Sequence, residues 1–376
     1  MKLKSRRKFL EKALSTLSGF SLSSFIVGCH TKEKKVSKDF YINFNKKFHW
    51  KIVTAWPPHF PILGEGVDLF AKWVEKASGG RMKISVYGGG ELAPAMEGFD
   101  AVSQGAVEMG HGASYYWAGK AQASTFFTSI PFGMNAQQMH SWILAGGGLA
   151  LWRKMYEPFN VIPFLGGNMG TQMGGWFNKE INTLEDLKGL KMRIPFMGGK
   201  VLVKAGGTAI SVAGGELYTN LERGVIDALE WIGPYHDYMM GFHEIAKYYY
   251  YPGWHEPGSC LEFVVNRNKW NELPSDLQAI LEGCMMQTHT YIFTESEARN
   301  AMYLPKIQQV KNLQIKQFPD EVIRAFKKYM QEVIDEQIQK DALSKEIYNS
   351  FLKYQQTVNT WASYSDEAYF KIIRSL

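Results

Sequence analysis

Cysteine is scarce, three residues in 376, and that scarcity excludes a disulfide scaffold as the source of the fold. Neither Cys-x-x-Cys nor His-Glu-x-x-His occurs, so the spacings that hold zinc are missing. No Gly-rich phosphate or dinucleotide loop follows a strand in the required way, and no nucleophile with an adjacent base is recognisable. Long apolar runs are missing too: residues 13–28 are only weakly apolar, Ser-rich, and short for a bilayer span. A Lys/Arg stripe interleaved with aromatics is also absent downstream, which argues against nucleic acid as a partner.

What is present begins with a basic head, Lys2, Lys4, Arg6, Arg7 and Lys8. Ser5-Arg6-Arg7-Lys8-Phe9-Leu10 resembles the twin-arginine export motif, and Ile26-Val27-Gly28-Cys29 resembles a bacterial lipobox. Residues 1–28 are therefore expected to be a signal peptide, with Cys29 lipidated as the new N-terminus; an uncut signal anchor is the alternative. Without residues 1–28 the formal charge falls from +6 to about +1. Residues 29–47, rich in Lys, Ser and Asn, read as a tether. Of the two remaining cysteines, Cys284 lies on the apolar face of an expected helix, so buried free thiols are expected over a Cys260–Cys284 bridge.

The body starts near His49. Residues 50–55 read as a strand that Pro57-Pro58 stops, residues 64–76 as a helix with Val67, Phe70 and Val74 on one face, and residues 82–87 as a second strand. Such a βαβ opening predicts helix-covered sheets. An internal echo follows: a helix closed by Gly105 and a strand through Met109, then, about 120 residues later, a helix closed by Gly224 and a strand through Leu229. Both strands run into polar and aromatic residues, which suggests two similar lobes facing one cleft. Residues 172–178 and 191–194 read as second-lobe strands joined by a helix that Thr183 caps, and residues 259–266 as a returning strand. A long helix is expected from a Ser275 cap to Pro305, which ends or kinks it. Helices over 320–338 and 344–361 make an all-helical tail, expected to pack over both lobes or against a second copy.

Gly170-Thr171-Gln172-Met173-Gly174-Gly175-Trp176-Phe177, Leu187-Lys188-Gly189-Leu190-Lys191-Met192-Arg193-Ile194-Pro195, Gly214-Gly215-Glu216-Leu217-Tyr218 and Asp227-Ala228-Leu229-Glu230-Trp231 occur in an order that resembles the solute-binding proteins of tripartite ATP-independent periplasmic (TRAP) transporters. The match is closest to the branch that binds 2-oxo and 2-hydroxy monocarboxylates with a metal ion. The resemblance implies an α/β, two-lobed periplasmic-binding-protein-like clamshell with mixed sheets and a long helical C-terminal region. Lobe I then takes residues 48–168 and 259–318, lobe II 169–258, and the C-terminal helices 319–376. It also implies a lipid-anchored periplasmic receptor that hands a small carboxylate, such as pyruvate or lactate, to membrane permease subunits, with a homodimer through the C-terminal helices as a further expectation.

By that resemblance Arg193 takes the carboxylate, its planar fork making two parallel hydrogen bonds. Gln172, Glu230, Trp231 (through its carbonyl) and Glu256 form a set of hard oxygen ligands suited to calcium or sodium. Two glutamates, one arginine and a monoanion leave a charge that calcium balances more fully. Gln172, Trp231 and Glu256 are expected to touch the ligand as well. Tyr116, with Tyr115, can reach it from the opposite lobe, although hinge or core packing explains these rings equally well. Trp56 and His59 are expected to border the pocket, and His111 to be structural. An exported metal-dependent enzyme acting on the same acids, and a sensory receptor, remain the alternatives.

Overall fold

The computed structural model describes residues 42–376 apart from Ser211 and Ala213. The arginine pair, the lipobox and Cys29 lie outside the described residues.

Two mixed sheets carry the fold. The first contains β1 (Phe48–Thr54), β2 (Met82–Tyr87), β3 (Met109–Gly112), β4 (Val161–Asn168) and the returning β10 (Cys260–Asn266), in the order β2-β1-β3-β10-β4. β1 runs parallel to β2 and β3, and β10 antiparallel to β3 and β4. Helix α1 (Leu63–Ala77) links β1 to β2 and buries Val67, Phe70 and Val74 at the expected helical spacing. Its Phe70 ring lies 4.6 Å from that of Phe263 on β10.

The second sheet contains β5 (Gly175–Phe177), β6 (Lys191–Arg193), β7 (Thr208–Ile210), β8 (Ala228–Leu229), β9 (Tyr248–Tyr251) and β11 (Gln314–Gln317), in the order β11-β9-β5-β8-β6-β7. Both echo units form. Gly105 at φ 75° and Gly224 at φ 70° end their helices in the left-handed region that residues with a Cβ avoid. The short strands β3 and β8 follow.

Three long helices span the two sheets. Helix α3 (Ser275–Gln308) packs on α1 and β4 on one side and on the short helix Pro234–Met239 on the other. Helix α4 (Asp320–Lys340) packs on α2 (Phe196–Lys204), which follows β6, while α5 (Ala342–Tyr364) packs on the first-lobe helices Ala136–Leu144 and Gly148–Tyr156. The tail thus covers both lobes, and α6 (Asp366–Ile373) ends it.

Several expectations need correction. Pro305 does not end α3, which continues to Gln308: Ile307 is buried in the second lobe's core and holds the last turn despite one lost backbone hydrogen bond. Ser275 is the first helical residue of α3, after Pro274, and caps nothing. The helix expected from Thr183 is a single turn, Leu184–Leu187, cut short at Gly189 with φ 71°. The strand over 172–178 shrinks to Gly175–Phe177. Residues 314–317, assigned to the first lobe with 259–318, form β11 and pair with β9 in the second sheet. Cys260 and Cys284 are free, buried thiols in separate clusters of the core. Among the described residues no helix is long and apolar enough to cross a membrane.

Candidate functional site

Parallel pairing of β6 with β8 sets Arg193 beside Leu229, so the next residues along β8, Glu230 and Trp231, emerge next to Arg193 at the carboxyl ends of the strands, where open α/β sheets gather ligands. The Arg193 guanidinium donates from Nη1 to the Glu230 carbonyl at 2.8 Å and pairs with the Glu230 carboxylate. Glu230 N donates in turn to the Arg193 carbonyl at 3.1 Å. The guanidinium carbon lies 5.3 Å from the centre of the Trp231 ring. Both charged groups are buried, with Arg193 9% and Glu230 1% exposed.

The loop between β9 and β10 adds His255, Glu256 and Ser259. His255 Nε2 lies 3.1 Å from Glu230 Oε2. Glu256 Oε2 accepts from Gln172 Nε2 at 2.7 Å and from the Ser259 hydroxyl. Backbone bonds lock this corner, Gln172 N to the Glu256 carbonyl at 3.1 Å and Gly253 N to the Gln172 carbonyl at 2.9 Å. Only glycine fits at 253, because a Cβ there would sit 2.2 Å from the Gln172 carbonyl oxygen.

One ligand atom from each of Glu230, His255 and Glu256 lies within 4.8 Å of the others. The buried Gln172 Oε1 has no hydrogen-bond partner. Burial, reinforced by the nearby Glu230 charge, pushes the Glu256 carboxyl up to about 7. Of the two buried carboxyl groups only Glu230 is paired with the guanidinium, so a hard cation would relieve the remaining repulsion. An orphaned amide oxygen beside those carboxylates is the donor set such a cation takes. Calcium or sodium would fit the oxygens of Gln172, Glu230 and Glu256.

The first lobe contributes Tyr115 and Tyr116 from the turn Ser114–Trp117 after β3. The Tyr115 ring stacks on Phe196 at 4.5 Å, and Tyr116 lies 6.3 Å from Trp56. Burial pushes the Tyr116 phenol up to about 12 against the opposing pull of Arg193, and burial with Glu256 pushes Tyr115 up as well. Both phenols remain donors at neutral pH.

A cleft of about 880 Å³ opens between the lobes, walled by Trp56, Phe60 and Tyr116 on one side and by Arg193, Phe196 and Trp231 on the other. Tyr115, His255 and Glu256 border a small recess on the other side of Phe196. Gln172 and Glu230 do not line the main cleft.

Arg193, Glu230, Gln172 and Glu256 come together in one buried corner, Trp231 and Tyr116 wall the adjoining cleft, and His59 stands apart. His59 points away: its side chain is 80% exposed and pairs with Asp68 of α1 at 2.6 Å. Trp56 does wall the cleft, and its Nε1 donates to His111 Nδ1 at 2.9 Å. The His111 Nε2 then faces the Gly166 carbonyl at 2.9 Å, and burial lowers this ring to about 4. His111 is a neutral residue that orients Trp56.

Sequence reasoning missed four residues here. His255 was visible only as a neighbour of Glu256, and Ser259 only as the start of a strand. Phe60 sits in a Pro-rich loop with no pattern to mark it. Asp237 accepts from Trp176 Nε1 at 2.9 Å, Tyr249 OH at 2.8 Å, and the backbone N–H groups of Ile232 and Gly233 at 3.1 Å each. It pins the turn immediately after Trp231.

Residues 52–341 match the family described as bacterial extracellular solute-binding protein, family 7 (DctP). A monocarboxylate 2-oxoacid-binding periplasmic protein of Nostoc sp. is 41% identical over 322 residues, 85% of this chain and 87% of that protein. A TRAP periplasmic solute-binding protein from Colwellia psychrerythraea, solved with bound calcium and pyruvate, is 44% identical with a TM-score of 0.85, covering 87% of this chain and 99% of that one. Its counterpart from Pseudoalteromonas atlantica, solved with sodium and pyruvate, is 43% identical with a TM-score of 0.84 over the same shares. A Bordetella bronchiseptica protein with copurified calcium and picolinate is 37% identical, with a TM-score of 0.85 over 88% and 98%. Match length and identity together establish that this chain belongs to the DctP family of TRAP solute-binding proteins.

Proposed function

We propose that this protein is an extracytoplasmic receptor that binds a small 2-oxo or 2-hydroxy monocarboxylate together with calcium or sodium and delivers it to the membrane subunits of a TRAP transporter. One observation carries the reading: a buried arginine that lines the interlobe cleft pairs behind it with one of two neighbouring buried glutamates, beside an amide oxygen that lacks a partner. Arg193 takes the carboxylate. Gln172, Glu230, Glu256 and the Trp231 carbonyl hold the cation, and the ligand's 2-oxygen shares it. Tyr116 and Tyr115 donate from the facing lobe. Pyruvate bound with calcium or sodium in the relatives of Colwellia and Pseudoalteromonas supports both the ligand class and the choice of ions.

Isothermal titration with pyruvate and lactate, in calcium, in sodium and in chelator, tests the reading. Micromolar binding that needs one of the ions is the expected result. No binding under any ion, or full affinity in Arg193→Ala, would overturn it. Mass spectrometry of the recovered acid separates a receptor from an enzyme, since a receptor returns its ligand unchanged.

Export through the twin-arginine motif and anchoring through Cys29 belong to the same proposal. Labelling with a fatty-acid probe should mark the wild type and leave Cys29→Ala unmarked. A homodimer through the C-terminal helices completes it, supported by the apolar side chains that α5 and α6 leave uncovered: Trp361 is 67%, Tyr364 82% and Tyr369 61% exposed.

A further inference from the structure

We infer, on the footing of that receptor reading, that Asp237 is a positioning residue for the cation: it holds the N–H side of the peptide between Trp231 and Ile232 and so fixes the direction of the Trp231 carbonyl. A trans peptide is planar, with its N–H and C=O pointing opposite ways. Ile232 N donates to Asp237 Oδ1 at 3.1 Å, and Gly233 N donates to the same oxygen at 3.1 Å. The Trp231 carbonyl, at the other end of the first of these peptides, therefore points away from Asp237 and cannot turn unless that bond breaks.

The carbonyls on either side have other partners. The Glu230 carbonyl accepts from Arg193 Nη1 at 2.8 Å, and the Ile232 carbonyl from Met173 N at 3.3 Å. Among the described residues no loop N–H donates to the Trp231 carbonyl between them, which leaves its lone pairs for a hard ion.

Asp237 is anchored more firmly than a helix cap requires. Its Oδ2 accepts from Trp176 Nε1 at 2.9 Å and from Tyr249 OH at 2.8 Å. Trp176 and Tyr249 are cross-strand partners on β5 and β9, both fully buried, with their rings stacked at 3.9 Å. The carboxylate, 1% exposed, thus ties the peptide after Trp231 to the rigid centre of the second sheet. Capping the short helix Pro234–Met239 would need only the bonds to the turn's N–H groups. Burying a carboxylate among four uncharged donors is costly, and the outer partners of metal ligands are where proteins build such anchors.

Calorimetric titration of the purified protein with pyruvate over a series of calcium or sodium concentrations gives the apparent affinity for the cation, and urea unfolding in chelator gives the stability without it. In Asp237→Asn the amide offers one acceptor oxygen and cannot hold both the peptide and the sheet. Outer partners of metal ligands are worth about 10–100-fold in affinity, so this variant is expected to bind the cation at least about tenfold more weakly than the wild type. Tyr249→Phe removes one anchor of the carboxylate and keeps the ring, so a smaller loss in the same direction is expected; it decides the matter if Asp237→Asn fails to fold. Asn300→Ala is the control, because Asn300 Oδ1 accepts from Tyr235 N at 3.0 Å and holds the start of the same short helix without touching the Trp231 peptide. It should lower the urea midpoint and leave cation affinity as in the wild type. Unchanged cation affinity in Asp237→Asn, or in Tyr249→Phe where Asp237→Asn does not fold, overturns the inference and leaves the receptor reading standing. An equal loss in Asn300→Ala does the same, since it would reduce Asp237 to a cap. A wild type that binds pyruvate with neither ion removes both.

Discussion

Arg193 and Glu230 are joined twice, through the guanidinium's bond to the Glu230 carbonyl and through its pairing with the carboxylate. One edge of the fork is therefore spent on holding the arginine in place, and the rest is free to face the cleft that Arg193 lines. Lysine offers a point charge without a fork and cannot do both. Arg193→Lys is expected to stay folded and to lose at least about tenfold in affinity, about 1.4 kcal/mol, for any acid the wild type binds. Arg193→Ala should in addition lower stability by about 3–5 kcal/mol in chelator, because it leaves Glu230 buried without its partner. Calorimetry and urea unfolding measure the two effects separately. Equal affinity in Arg193→Lys would remove the fork from the account.

Glu230 and Glu256 crowd two carboxylates into a buried site, so cation binding should stabilise the folded state directly. At about a hundredfold excess over its dissociation constant, a bound ion contributes about 2.7 kcal/mol. Thermal unfolding of the wild type should therefore shift upward by several degrees in calcium relative to chelator. Glu256→Gln keeps the size of the side chain and removes one ligand charge, and in this variant most of the shift should vanish. A variant that responds to calcium as the wild type does would place the ion elsewhere.

Those two predictions draw on different parts of what the chain makes legible. Short-range patterns carried far: the helical spacing of Val67, Phe70 and Val74, the cap glycines Gly105 and Gly224, and the proline pair after β1 each became the element they imply. Long-range packing is where the pattern failed. Pro305 stays within a helix because Ile307 is anchored in a core assembled from distant segments, and β11 joins the second sheet because β9 presents it a free edge. At the site, Arg193, Glu230 and Trp231 follow from adjacent strand ends. The bond between His255 and Glu230 joins residues 25 positions apart in the chain, and Asp237 anchors its turn through Trp176 and Tyr249, contacts that no spacing announces.

The last two helices offer a test of assembly. Phe370 is 51% exposed and Trp361, Tyr364 and Tyr369 are uncovered as well, and the proposed dimer would bury these apolar side chains. A second copy would cover the same patch by two-fold symmetry. Sedimentation of the wild type should report a dimer, and Trp361→Glu with Tyr369→Glu should convert it to a monomer with unchanged helical content. A monomeric wild type at micromolar concentration would end the dimer proposal.

Glu262 supplies a prediction about pH that is independent of the ligand site. Its Oε1 accepts from Trp117 Nε1 at 2.6 Å and from Tyr156 OH at 3.1 Å, while Oε2 is buried without a partner. Burial pushes the carboxyl up to about 8, against the smaller downward pull of those two hydrogen bonds. Unfolded, the same group titrates near about 4.3. The folded protein therefore holds a proton that the unfolded chain has released, and stability from this group is full below about pH 4 and lost as pH rises through about 8. Glu262→Gln keeps the acceptor for Trp117 and Tyr156 and has no proton to lose. The variant should gain on the wild type steadily from pH 5 towards pH 8, by at most about 1.4 kcal/mol per pH unit. Because Glu256 and Asp237 are common to both proteins, their contributions cancel in the difference. Urea midpoints at pH 5, 6.5 and 8 give that difference, and two parallel curves would mean that Glu262 is ionised in the folded protein after all.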